Sequence, residues 1–138
     1  MQYIRYDEFK NTDLGKEFLK ENPSTGTLKI EAFMAYQSVP VEGVQIIISK
    51  DIEDYRVIFF QGTTDSSGMI SDIILPAPEQ SSSESLENPK YTIYNMTAIK
   101  EDYHTINNYN IGMFGGVPVI QYVKMQVEEN NREVADGN

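Results

Sequence analysis

Cysteine is absent from the 138 residues, which excludes disulfides, thiolate catalysis and cysteine-based zinc sites. Tryptophan is also absent, and histidine occurs once, at His104. A serine hydrolase would need that one imidazole beside a serine and an acid. Ser66 is on offer, but it lies in a plain turn with no nucleophile-elbow pattern around it, so His104 reads as a surface residue at a strand start. Basic residues are scarce, with 11 Lys and Arg against 21 Asp and Glu and a net charge of −10. Nothing here neutralises a run of phosphates, so nucleic acid is excluded as a partner. An anionic membrane surface is disfavoured for the same reason. The acidic excess reads first as solubility and second as a match to a basic partner.

Long apolar runs are missing as well. Residues 1–20 are broken by Arg5, Asp7, Glu8, Lys10, Asp13, Lys16, Glu17 and Lys20, a pattern that predicts neither a secretory leader nor a membrane-spanning helix. The expected location is the cytoplasm, or a spore or envelope layer reached by a route other than the general secretory one. Two acid-dependent chemistries find little support. Asp51, Glu53 and Asp54 gather oxygens as calcium sites do, but without the EF-hand spacing or a shaping glycine, so they read as a solvated turn. A glycosidase needs two acids facing each other across a groove, whereas the acids here fall in loops and on exposed strand positions. No cofactor, no metal and no catalytic set is expected.

What is abundant is strand chemistry. Val39-Pro40-Val41 precedes a Glu42-Gly43 turn or bulge, and Val44 to Ile48 then reads as a buried strand. Asp65-Ser66-Ser67-Gly68 has the Asp and Gly that a type I turn prefers at its first and last positions. Strands are predicted over residues 27–36, 44–49, 56–61, 70–75, 91–99, 105–111 and 119–127. In the first of these, Leu28, Ile30, Ala32 and Met34 share one face. Residues 3–21, with Tyr6, Phe9, Leu14, Phe18 and Leu19, form the only helical stretch, interrupted at Asn11-Thr12 and Gly15. The expected plan is one domain: an N-terminal helical arm and linker (1–25), an all-β sandwich of seven strands (26–127) and a disordered acidic tail (128–138). The serine- and glutamate-rich stretch 79–89 reads as a mobile loop.

Pro40-Val41-Glu42-Gly43-Val44-Gln45-Ile46, followed by Thr63-Thr64-Asp65-Ser66-Ser67-Gly68 and Ile73-Ile74-Leu75, resembles the transthyretin-like, carboxypeptidase-regulatory-like β-sandwich, kin of the collagen-adhesin B-type repeat. Tyr94-Asn95-Met96-Thr97-Ala98 and Glu101-Asp102-Tyr103 fit the same pattern, with Asp102 where the family usually has glycine. The likeness covers about residues 26 to 126 and implies a Greek-key sandwich. A narrower set is similar to a variant in clostridial spore cortex-lytic proteins: Leu75-Pro76-Ala77-Pro78, Tyr91 to Tyr94, Met113-Phe114-Gly115-Gly116-Val117 and Ile120-Gln121. Collagen-adhesin B-type domains can form a Lys–Asn isopeptide bond. Lys29 stands on the first sandwich strand, where that lysine often lies, but residues 119–125 offer no Asn or Asp, so no crosslink is expected. The His-Arg cluster and C-terminal motif of the related hydroxyisourate hydrolases are missing.

Binding is the remaining expectation. Tyr36, Tyr55, Phe59, Phe60, Tyr91, Tyr94, Tyr103, Tyr109 and Tyr122 are available for core packing, cross-strand pairs or a stacking surface for sugar or peptide. Asn107-Asn108-Tyr109-Asn110 and Phe114-Gly115-Gly116 form a polar, aromatic and glycine-bearing stretch. Asn108, Tyr109, Asn110 and Phe114 are therefore the candidate binding residues. The expected partner is a protein or a cell-wall component, self-association included. The rival expectation is a regulatory or targeting subunit for a separate hydrolase, docking through the N-terminal helices.

Overall fold

A computed structural model describes residues 1–34, 39–80 and 88–129. In chain order the described elements are β1 (Gln2–Arg5), α1 (Tyr6–Phe9), α2 (Asp13–Glu21), β2 (Ser24–Met34), β3 (Val39–Pro40), β4 (Gln45–Ile52), β5 (Tyr55–Thr63), β6 (Met69–Ala77), β7 (Thr92–Ile99), β8 (Ile106–Met113) and β9 (Pro118–Lys124). One sheet has the order β1-β5-β4-β7-β8. In the other, β2 carries β6 along one edge and β9, in parallel, along the opposite edge, while β3 extends the β6 side. The two sheets form the β-sandwich expected from the sequence, and each of the seven predicted strands has its counterpart.

Alternation along the strands builds the core. Leu28, Ile30 and Ala32 of β2 face Ile46 and Ile48 of β4 and Tyr94, Met96 and Ala98 of β7 as one buried cluster. Ile73, Leu75 and Ala77 of β6 complete it from the β2 side. Full burial of side chains of this size stabilises by roughly 1.5–3 kcal/mol each. The turn at Asp65 forms as expected: Gly68 N–H donates to the Asp65 carbonyl at 2.9 Å. The Asp65 carboxylate also accepts from Ser67 and Met69 N–H. Gly43 sits at φ 79°, the left-handed conformation that a turn glycine supplies. Asp102 holds φ 72°, so the residue standing in for the family's glycine adopts a glycine-like backbone in the turn closed by Tyr103 N–H on the Lys100 carbonyl at 3.1 Å.

Two expectations are corrected. Residues 3–5, read as the start of a helical stretch, belong instead to β1 (Gln2–Arg5), which pairs in parallel with Tyr55–Ile58 at the edge of the five-stranded sheet. Gly15 does not interrupt α2 but lies inside it. A Cβ there would stand 1.9 Å from the Phe9 carbonyl oxygen, so the bare glycine is what lets α1 and α2 close on each other. The arm itself packs on the sandwich. Phe9 is fully buried and Phe18 nearly so. Phe9 meets Phe18 and Tyr55 edge-on at 6.3 and 6.0 Å, and Phe59 links Phe18 to Tyr94. The predicted loop at 79–89 and the predicted tail at 128–138 lie largely outside the described residues, and Tyr36 lies wholly outside them.

Candidate functional site

β8 is the last strand of the five-stranded sheet and, among the described residues, is paired on one side only, with β7. Its register slips once: Met96 pairs with Tyr109 and Ala98 with Ile106, so Asn107 and Asn108 together oppose Thr97. This is a β-bulge. Asn108 provides it with φ 55°, a conformation asparagine tolerates better than most residues. Asn107, Asn108, Tyr109 and Asn110 are consecutively exposed. Tyr109 lies opposite Met96, on the side of the strand that carries buried Ile111 and Met113, yet its own ring is 46% exposed. It therefore stands at the rim of the core.

Phe114 sits elsewhere. Five residues beyond Tyr109, it lies roughly 16 Å farther along at about 3.3 Å per residue. It is half-buried and packs on Tyr91 at 5.7 Å with the rings tilted by 48°. The glycines after it are fixed. Gly115 N–H donates to Pro78 and Gly116 N–H to Thr25, and a Cβ on Gly115 would come within 2.3 Å of the Pro78 carbonyl. The structure thus separates the four candidates into an Asn108–Tyr109–Asn110 edge and a Phe114–Tyr91 aromatic pair. Nothing in sequence spacing signalled that Tyr91 joins Phe114, because their pairing depends on the β7–β8 register.

The other candidates resolve into structural roles. The Asp51 carboxylate is held by the Arg56 guanidinium at 2.7 and 2.9 Å, and that hydrogen-bonded partner lowers its pKa. Among the described residues no three acids or histidines converge as a metal would need. Lys29 points away from the core, in line with Ile120 of β9 and 3.6 Å from Glu31. His104 is exposed, its N–H bonded to the Gln126 carbonyl. Tyr55, Phe59 and Tyr94 belong to the core and Tyr103 is half-buried, its hydroxyl on the Met34 sulfur at 3.4 Å.

Lys50 is the unusual cation. Its ammonium donates to the Ile93 carbonyl at 2.8 Å and lies 6.0 Å from the Tyr94 ring centroid. Partial burial pulls its pKa below the usual lysine value, against the opposing pull of Asp51. It borders a shallow groove between the end of α2 and the start of β7, whose floor is Asn22 and Thr92 and whose rim holds Glu21 and Tyr91.

No protein-family model matches the chain, and no curated protein matches it. Solved structures do. The shaft pilin SpaA of Lactobacillus rhamnosus GG is 14% identical over 77% of this chain and 51% of its own, with a TM-score of 0.55. Two dioxygenases match at a TM-score of 0.51 and 10% identity. They are the 3-chlorocatechol 1,2-dioxygenase of Rhodococcus opacus 1CP, over 75% of this chain and 60% of that one, and the catechol 1,2-dioxygenase of Pseudomonas arvilla C-1, over 94% and 58%. This chain spans roughly half the length of these proteins or a little more. At such identities the likeness is one of fold, a β-sandwich, and the matched proteins are a pilin and two enzymes, so the fold alone assigns no role.

Proposed function

We propose that this chain is a non-catalytic binding or structural module of a cell or spore envelope, and that it associates by taking a partner's extended strand onto the outer edge of β8. The observation that carries this reading is the state of that edge. Unpaired strand edges are templates for another strand, and proteins normally blunt them with charge, proline, bulges or shortness. The other sheet edges here are blunted. β1 is four residues long and ends in Arg5. β6 has a bulge with Asp72 at φ 61° and also carries Pro76. β9 begins at Pro118 and ends at Lys124. The eight residues of β8 include no charge and no proline; among the described residues its guards are the Asn107–Asn108 bulge and, just before the strand, the pairing of 126–128 with 102–104.

The partner strand comes from a second copy or from another envelope protein, with Asn108, Tyr109 and Asn110 at the contact and Phe114 beyond its far end. The envelope setting rests on the resemblance to spore cortex-lytic proteins and on the fold shared with a shaft pilin. The rival reading, a targeting subunit docked by its N-terminal helices, would have to use the charged outer face of α2, because Phe9 and Phe18 are buried against the sandwich. The test compares the wild type with Tyr109→Ala and Asn110→Lys, by sedimentation over a concentration series and by partner capture from the native lysate. Both variants should stay folded and lose association. Association that survives both substitutions, or none in the wild type, refutes the reading.

A further inference from the structure

The groove beside α2 holds an aromatic ring that is exposed on one side and packed on the other. Tyr91 is 55% exposed. Beneath it lies Gly112, where an added Cβ would stand 3.7 Å from the ring, and beside it packs Phe114. The backbone just before it is anchored by Gln80. The Gln80 amide donates to the Lys90 and Pro78 carbonyls and its oxygen accepts from Lys90 N–H at 3.2 Å. A ring packed on one side against Phe114 has less rotamer freedom left to lose, so a ligand stacking on it meets a smaller ordering cost.

The floor is equally rigid. Asn22 is buried, its amide nitrogen donating to the Phe18 carbonyl at 3.0 Å and its oxygen accepting from the Thr92 hydroxyl. Around the ring stand Glu21 and Glu53 as acceptors and Lys50 and Lys90 as donors. Asp51, the remaining acid there, is already paired with Arg56. In a chain of net charge −10 the described residues of this groove are therefore close to neutral. A cation is drawn by Glu21, Glu53 and the carbonyl end of α2 but repelled by Lys50 and Lys90, so little net attraction remains. An anion is opposed by Glu21, by Glu53 and by the carbonyl end of α2. An uncharged ring with one apolar face and many hydroxyls is opposed by neither, and it matches an aromatic plate flanked by donors and acceptors.

We infer that this groove binds an uncharged oligosaccharide, with one sugar ring stacked on Tyr91 and its hydroxyls hydrogen-bonded by Glu21, Glu53, Lys50 and Lys90. The site is independent of the β8 edge and stands or falls without it. The test is an amide NMR titration of the full chain with cellotetraose and, separately, with the tetramer of N-acetylglucosamine. Saturable shifts at Asn22, Tyr91, Thr92 and Ile93 are expected with at least one of the two sugars. Tyr91→Ala should weaken that binding about tenfold or more, Glu53→Ala should weaken it less, and Tyr91→Phe, which keeps the stacking ring, should retain it. The dispersed spectrum of each variant reports that it is folded. No saturable shift with either sugar, shifts located outside the groove, or binding unchanged in Tyr91→Ala would overturn the inference.

Discussion

The Tyr94 hydroxyl donates to the Pro76 carbonyl at 2.6 Å, and this bond ties β7 of one sheet to β6 of the other. The ring is fully buried, so burial pushes the phenol well above its usual pKa, with Tyr6 adding to the shift. The consequence has a definite sign. Below the ordinary tyrosine pKa of 10.0 the phenol is neutral in both states and its contribution is complete. Above it the unfolded chain ionises while folded Tyr94 does not, so stability falls as pH rises. Tyr94→Phe should cost about 1–3 kcal/mol at neutral pH, from the lost bond and the stranded carbonyl. It should also show a smaller further loss above pH 10 than the wild type. Urea titrations of both proteins on each side of pH 10 check this, and parallel alkaline losses would refute it. Residues at this scale were unevenly legible. Asp65 and Gly68 announced their turn because local chemistry alone specifies it. Asn108 did not announce a bulge, because its left-handed backbone is demanded by the β7–β8 register and not by its neighbours.

Strand identity depends on a period of two that local residues carry, and for that reason the seven long strands were readable. β1 was not. Gln2–Arg5 is too short to show a pattern, and what makes it a strand is Tyr55–Ile58, far along the chain. The same non-locality explains why Tyr109 and Phe114, neighbours in sequence, fall into separate surfaces, and why the Tyr91 groove, assembled from α2, β4 and β7, left no motif. Where the pattern is local it makes a quantitative claim. Ile46 and Ile48 of β4 are fully buried, while Ile47 between them is only partly covered. Ile48→Ala should therefore cost about 2–5 kcal/mol, and Ile47→Ala distinctly less. Denaturant midpoints of the two variants decide it, and the reverse ranking would place β4 one residue out of register.

For the molecule as a whole, the question is whether the N-terminal arm is an appendage or part of the fold. Its sequence is charged and broken, which made a detachable docking segment a natural expectation. The packing argues otherwise. β1 adds a strand to the five-stranded sheet, and Phe9 lies in the same aromatic cluster as Phe18, Tyr55 and Phe59 that rests against Tyr94. Gly15 admits the Phe9 backbone at a distance no side chain would permit. An arm bound in this way unfolds with the sandwich and not before it. Phe9→Ala should then lower global stability by about 3–5 kcal/mol, a large share of the roughly 5–15 kcal/mol typical of a domain. In urea the midpoint should drop, with helix and sheet signals melting together and the slope unchanged. Gly15→Ala should act in the same direction through the clash with the Phe9 carbonyl. If Phe9→Ala instead removes the helical signal alone and leaves the sheet transition where it was, the arm is separable and free to serve a partner.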